Sequence, residues 1–246
     1  MKTIYDDILE AKASGRKLLA ILLDPDKVEE SRLGDILNRI NDSPATHIFV
    51  GGSEVQGDIS NLINALKSGT RLPVVLFPGN PSQIAPNADA ILFLSLLSGR
   101  NPDFLIGHHV DAVPALKQAK LEIIPTAYLL IESGSQTAVA RVSRTEPMPV
   151  FDFRRIVHTA QAGEMLGSKL VYLEAGSGAE NAVPTGIVEA VSASVKIPVI
   201  VGGGIRSASG IESAFAAGAD MVVIGTAFEN DLNFFDQVSA KATGNA

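Results

Sequence analysis

Eight short apolar runs recur along the chain, each separated from the next by a polar or amphipathic stretch, and few folds accommodate that pattern. The runs are Leu18–Leu23, His47–Val50, Val74–Phe77, Ala90–Leu94, Glu122–Ala127, Leu170–Leu173, Val199–Val201 and Met221–Ile224. They are continuous and rich in β-branched residues rather than alternating, as in strands buried on both faces of a parallel sheet. Helix-period patterns lie between several of them. Leu33, Ile36, Leu37 and Ile40 fall on one helical face, as do Ile59, Leu62, Ile63 and Leu66. Asn101-Pro102 reads as a helix cap followed by a first-turn proline, and Gly218 as a C-terminal glycine. Eight strands with crossovers predict a single (β/α)8 TIM barrel spanning residues 1–246, with an irregular segment after strand five, where Ile131 to Pro149 is polar and proline-bearing. The 246-residue length is close to that of one such barrel.

Composition narrows the chemistry. The chain is 46% hydrophobic and 19% charged, enough apolar mass for a sizeable core. A net charge of −7 argues against nucleic-acid binding, so any phosphate must be held locally. With no cysteine, disulfides, thiolate nucleophiles and cysteine-ligated metals are excluded. The N-terminus turns acidic at Asp6-Asp7 before any apolar run, unlike a secretory signal, and Ala90 to Leu97 is too short to span a bilayer. A soluble, cytoplasmic protein is expected.

In a barrel, chemistry gathers at the C-terminal ends of the strands. Strand seven is followed by Gly202-Gly203-Gly204-Ile205-Arg206-Ser207, and strand eight by Gly225-Thr226. Glycines let backbone approach an oxyanion closely, and a helix beginning near Ser207 supplies unpaired N–H donors, so this pair of loops predicts a phosphate site. Arg206 either assists there or starts the helix in solvent. Strand six ends in Tyr172-Leu173-Glu174-Ala175-Gly176-Ser177-Gly178, placing Glu174 at the barrel mouth, where it can accept a proton from a substrate hydroxyl. Asp24-Pro25-Asp26-Lys27 after strand one and Gly51-Gly52-Ser53-Glu54 after strand two put a carboxylate and a hydroxyl at neighbouring ends. These are hard oxygen ligands of the kind Mg²⁺ uses, although Asp-Pro-Asp by itself reads more readily as a capping turn. His47 falls inside a strand, His108 and His109 on a helix without ligand spacing, and His158 on a helix surface; none indicates a nucleophilic triad.

Taken together, Leu22 to Lys27, Gly51 to Ser53, Ser98 to Pro102, Tyr172 to Gly178, Gly202 to Ile205 and Gly225-Thr226 resemble the geranylgeranylglyceryl phosphate synthase family, in the same order along the whole chain. The segment from Tyr172 to Gly178 is the most specific. The resemblance implies a prenyltransferase joining the C3 hydroxyl of sn-glycerol 1-phosphate to an allylic polyprenyl diphosphate in ether-lipid synthesis. It implies Mg²⁺ on Asp24 and Ser53, with glycerol phosphate on Tyr172, Leu173, Glu174, Ala175, Gly176, Ser177, Gly178, Gly203, Gly204, Gly225 and Thr226. It also implies a homo-oligomer and peripheral membrane contact for the lipid product. Leu22 before Leu23-Asp24-Pro25, and Ala175 where a heptaprenyl-using branch has tyrosine, resemble the archaeal-type branch and a C20 donor. The prenyl tail needs an apolar groove, for which Leu94, Leu96, Leu97 and Phe104 are candidates. The rival readings are a heptaprenyl transferase, a sugar-phosphate isomerase or synthase using Asp24 and Glu174 as an acid–base pair, a flavin-binding oxidoreductase, and a noncatalytic phosphate-binding barrel.

Overall fold

The structure is a computed structural model and describes residues 2–238. Its strands close into a parallel barrel in sequence order, with β8 pairing back onto β1. They are β1 (Leu18–Leu23), β2 (His47–Val50), β3 (Val74–Leu76), β4 (Ala90–Leu96), β5 (Glu122–Leu130), β6 (Leu170–Glu174), β7 (Val199–Gly202) and β8 (Met221–Ile224). All eight apolar runs are strands. The pleat sorts their side chains into two layers, since successive residues point to opposite faces. Leu18, Ala20, Leu170, Tyr172, Ile200 and Val223 fill the barrel interior. Leu19, Ile21, Val171, Leu173, Val201 and Val222 pack outward beneath the helices.

The helices are α1 (Ile4–Ser14), α2 (Leu33–Asp42), α3 (Ile59–Gly69), α4 (His108–Gln118), α5 (Ala138–Ser143), α6 (Phe153–Met165), α7 (Thr185–Ser192), α8 (Ala208–Ala216) and α9 (Thr226–Asn230). The two sequence-marked amphipathic segments form α2 and α3 as expected. Asn101 Oδ1 accepts from the Asp103 amide at 3.1 Å, and Pro102 opens the helical turn that runs into α4. Gly218, at φ +104°, follows the end of α8. α1 buries Ile8 and Ala11 against the interior layer, and Glu122 caps it, accepting from the amides of Ile4 and Tyr5 at 2.7 and 3.0 Å.

Two departures from regular alternation shape the site. Among the described residues only a 3₁₀ turn at Pro81–Gln83 separates β3 from β4, where a crossover helix is the norm. After β5 the chain forms an isolated bridge, Ile131 to Met148, around the short helix α5. The irregular segment foreseen after strand five is therefore partly ordered.

Candidate active site

Two cavities open at the C-terminal ends of the strands, and they share a wall. The first is polar and lies over β1, β6, β7 and β8, lined by Asp24, Ser53, Tyr172, Glu174, Gly176, Ser177, Gly178, Gly203, Gly204, Gly225 and Thr226 among others. The second is apolar and occupies the space beside β4 where the crossover helix is missing; Phe77, Ile84, Leu94, Leu96, Phe104 and Ala112 line it. Gly52, Ser53, Phe77, Tyr128 and Val139 border both.

The polar cavity is built from loops that only glycine can form. Gly203 has φ +80°, and a Cβ there would lie 2.4 Å from Glu174 Oε1. Gly204 has φ +69°, and a Cβ there would meet Asn181 O at 2.6 Å. Ser207 caps α8, its Oγ accepting from the Gly210 amide at 3.1 Å. Gly225, Thr226 and Ala227, the cap and opening turn of α9, line the cavity, whereas α8 starts beyond the lining, which on that side is Gly203 to Arg206.

Glu174 ends β6 with its side chain inside the barrel and buried. Burial pushes its carboxyl up to about 7. The Gly176 amide, donating to Oε1 at 2.5 Å, and the phenols of Tyr172 and Tyr128 pull the other way without cancelling the shift. Burial likewise raises both phenols well above their ordinary range, and the Glu174 charge adds to the rise. The Tyr172 hydroxyl approaches the carboxyl but is not in hydrogen-bonding geometry with any described residue. A carboxyl poised near neutrality in a dry wall is suited to accepting a proton from a bound hydroxyl.

The pleat divides the segment from Tyr172 to Gly178. Tyr172 and Glu174 face the interior, whereas Leu173 and Ala175 face the outer layer and offer only backbone to a ligand. The Ala175 amide already donates to Gly202 O at 3.0 Å. Gly176, Ser177 and Gly178 form the loop above. Arg206 is exposed and lines the polar cavity, and its guanidinium donates to Ala179 O at 2.6 Å and Glu180 O at 3.3 Å, fastening this loop to the one after β7.

Asp24 and Ser53 sit at adjacent strand ends. The Asp24 carboxylate faces Gly52, where a Cβ would come within 3.3 Å of it. Asp24 Oδ1 accepts from the Asp26 amide at 3.1 Å, the capping-turn bond, leaving Oδ2 3.7 Å from Lys27 Nζ. Asp26 in turn accepts from the amides of Gln56 and Gly57, tying the first loop to the second. Lys27 pairs with Glu229 at 2.9 Å. Burial lowers the Lys27 pKa, but the Glu229 bond and the charges of Glu229 and Asp24 outweigh it, and the net shift is upward. Among the described residues no three acidic or histidine side chains form a metal cage. One carboxylate and one hydroxyl do fit a Mg²⁺ ion completed by water and substrate oxygens.

Of the four groove candidates, Leu94, Leu96 and Phe104 line the apolar cavity. Leu97 does not. It has the opposite pleat parity to Leu94 and Leu96 and packs outward near α6, where a Cβ on Gly163 would lie 3.0 Å from its Cδ1. His109 bonds Ser95 Oγ at 3.1 Å and packs edge-on against Phe93, and burial depresses its pKa. His47 is a buried strand residue bonded to Thr46 Oγ1 at 2.9 Å, pushed down to about 4 by burial. His158 is exposed on α6. Sequence reading missed Tyr128, Phe77, Val139, Glu229 and Arg141. Tyr128 lies beyond the Glu122–Ala127 run, because β5 continues three residues further, to Leu130.

A closed parallel barrel whose glycine loops after β7 and β8 line a polar cavity at the C-terminal face defines a (β/α)8 barrel of the TIM class. The particular family is shown by comparison: the PcrB family profile matches residues 8–242, and the chain belongs to that family. A Flavobacterium johnsoniae protein named geranylgeranylglyceryl phosphate synthase is 63% identical over 96% of this chain and 98% of its own length. A Zunongwangia profunda protein of the same name is 50% identical over 94% and 98%. The crystal structure of (S)-3-O-geranylgeranylglyceryl phosphate synthase from Thermoplasma acidophilum, in complex with its substrate sn-glycerol-1-phosphate, superposes with a TM-score of 0.92. It is 34% identical, with each chain covered in full.

Proposed function

We propose that this chain is a geranylgeranylglyceryl phosphate synthase, forming an ether bond between the C3 hydroxyl of sn-glycerol 1-phosphate and geranylgeranyl diphosphate. The observation that carries the reading is the shared wall. The polar cavity and the apolar one share Gly52, Ser53, Phe77, Tyr128 and Val139 in their linings, and Glu174 lines the polar cavity. A small phosphorylated alcohol and a long apolar donor can therefore meet there. The full-length relatives of that name support the same assignment.

The glycine loops after β7 and β8 hold the glycerol phosphate as a handle, with Tyr172 and the 176–178 loop closing over it. Fixing both reactants converts an encounter into an intramolecular event. Glu174 orients the C3 hydroxyl and takes its proton as the oxygen attacks the donor's allylic C1. The C1–O bond to diphosphate breaks, and its electron pair leaves with the diphosphate. Asp24 and Ser53 are the residues that would hold Mg²⁺, which would supply positive charge against that growing on the departing diphosphate. The apolar cavity beside β4 excludes water from the allylic carbon.

The test is extraction of labelled sn-glycerol 1-phosphate into organic solvent with C15, C20 and C35 donors, with and without chelator. Chelator-sensitive transfer, fastest with C20, is expected; transfer with none of the three would overturn the assignment. Glu174→Gln should lower turnover by about 10²-fold or more while leaving donor affinity near wild type. Wild-type turnover in that variant removes the proton-accepting role.

A further inference from the structure

We propose that Arg141 receives the diphosphate of the prenyl donor, exchanging Glu54 for it. The proposal rests on the prenyl-transfer reading and adds to it a residue that the strand-end motifs do not contain.

Three cations line the polar cavity among the described residues: Lys27, Arg141 and Arg206. Arg206 is committed to the carbonyls of Ala179 and Glu180. Lys27 is committed to Glu229, whose carboxylate is nearly buried, and that carboxylate also accepts from the Asp24 amide at 3.2 Å. Arg141 differs in both place and partner. It lies on α5, the helix that forms part of the wall common to the two cavities: Ala138 faces the polar one, Val139 both, and Val142 the apolar one. Its guanidinium pairs with Glu54 at 2.9 Å, and Glu54 directly follows Ser53 on the opposite lip. The ion pair thus links the two segments that contribute Ser53 and Val139 to both cavities, at their junction. A donor with its tail in the apolar cavity and its allylic carbon near Glu174 must put its diphosphate at that junction.

The exchange is energetically easy. Both side chains are about 60% exposed, and exposed ion pairs contribute little to stability. A diphosphate offers more negative charge than one carboxylate and matches the planar guanidinium fork bidentately. Glu54 therefore keeps the arginine at the junction without holding it against a stronger anion.

Inorganic pyrophosphate serves as the probe, titrated calorimetrically into the full chain with Mg²⁺ present, beside steady-state transfer assays. Arg141→Ala is expected to weaken pyrophosphate binding and raise the donor KM about tenfold or more, leaving the sn-glycerol 1-phosphate KM unchanged. Arg141→Lys should recover part of the loss, and Glu54→Gln should tighten pyrophosphate. Pyrophosphate binding unchanged in Arg141→Ala overturns the inference, as does an equal loss for both substrates, which would mark α5 as structural support. If the wild-type chain forms ether product while Arg141→Ala is silent, this inference alone falls. If the wild type forms none, the function reading falls instead.

Discussion

Glu174 owes its chemistry to its surroundings. An exposed carboxyl is fully ionised at neutrality and a weak base; burial raises this one to about 7, near the pH at which a general base works best. The sign of the linked stability change follows. Between the ordinary value of 4.5 and about 7, the folded chain binds more protons at this site than the unfolded chain. Its contribution to stability therefore falls as pH rises through that window and levels off above it. Activity runs the opposite way, because only the ionised form accepts a proton. kcat/KM should fall close to tenfold per pH unit below about 7 with a slope of one. A pH–rate profile flat between about pH 5 and 7 would assign the proton transfer elsewhere. The identity of Glu174 as a strand-end acid was legible from its position after an apolar run. Its proton affinity was not, because that depends first on burial inside the closed barrel and then on Gly176, Tyr172 and Tyr128, the last of which reaches it from β5.

At the scale of elements, the site depends on how neighbouring loops are fastened. Asp26 ties the loop after β1 to the one after β2, Glu229 ties α9 to β1, and Arg206 ties the loop after β7 to the one after β6. Replacing Arg206 with alanine removes two charge-assisted bonds to carbonyls and loosens the 176–181 segment. The KM for sn-glycerol 1-phosphate should rise about tenfold with little change for the donor. Kinetics with each substrate varied in turn would check this, and an unchanged glycerol phosphate KM would show that the fastening is dispensable. Helices α2 and α3 were readable from their apolar faces, and α8 from its flanking Ser207 and Gly218, all of which are local signals. The extension of β5 to Leu130 was not, since it is sustained by pairing with Leu96 of β4 and with Tyr172, Leu173 and Glu174 of β6. The gap in the helical ring after β3 was equally hidden. Its segment carries the turn residues Pro78, Gly79, Asn80 and Pro81, but only the assembled barrel shows that the space left over becomes an apolar cavity.

Across the whole molecule, the barrel is two concentric apolar layers sharing eight strands. Leu170 is fully buried in the inner layer, beneath the site and outside the lining of both cavities. Leu170→Ala should cost about 2–5 kcal/mol, seen as a lowered denaturation midpoint. Substrate KM values should stay near wild type under conditions where the variant is folded. A midpoint equal to wild type would mean that the interior refills the space.

By itself the sequence determined the eight-stranded barrel, the glycine loops after the last two strands, and the carboxylate and hydroxyl at the first two strand ends. Those features are written in contiguous residues, where apolar period, glycine placement and the residue after each strand act over a few positions. Tertiary structure alone decided that Leu173, Ala175 and Leu97 point outward, that the polar and apolar cavities join at Tyr128 and Val139, and that Arg141 meets Glu54 across 87 residues of chain. Pleat parity, strand extension and barrel closure set those outcomes, and each depends on pairing and packing between segments distant in sequence.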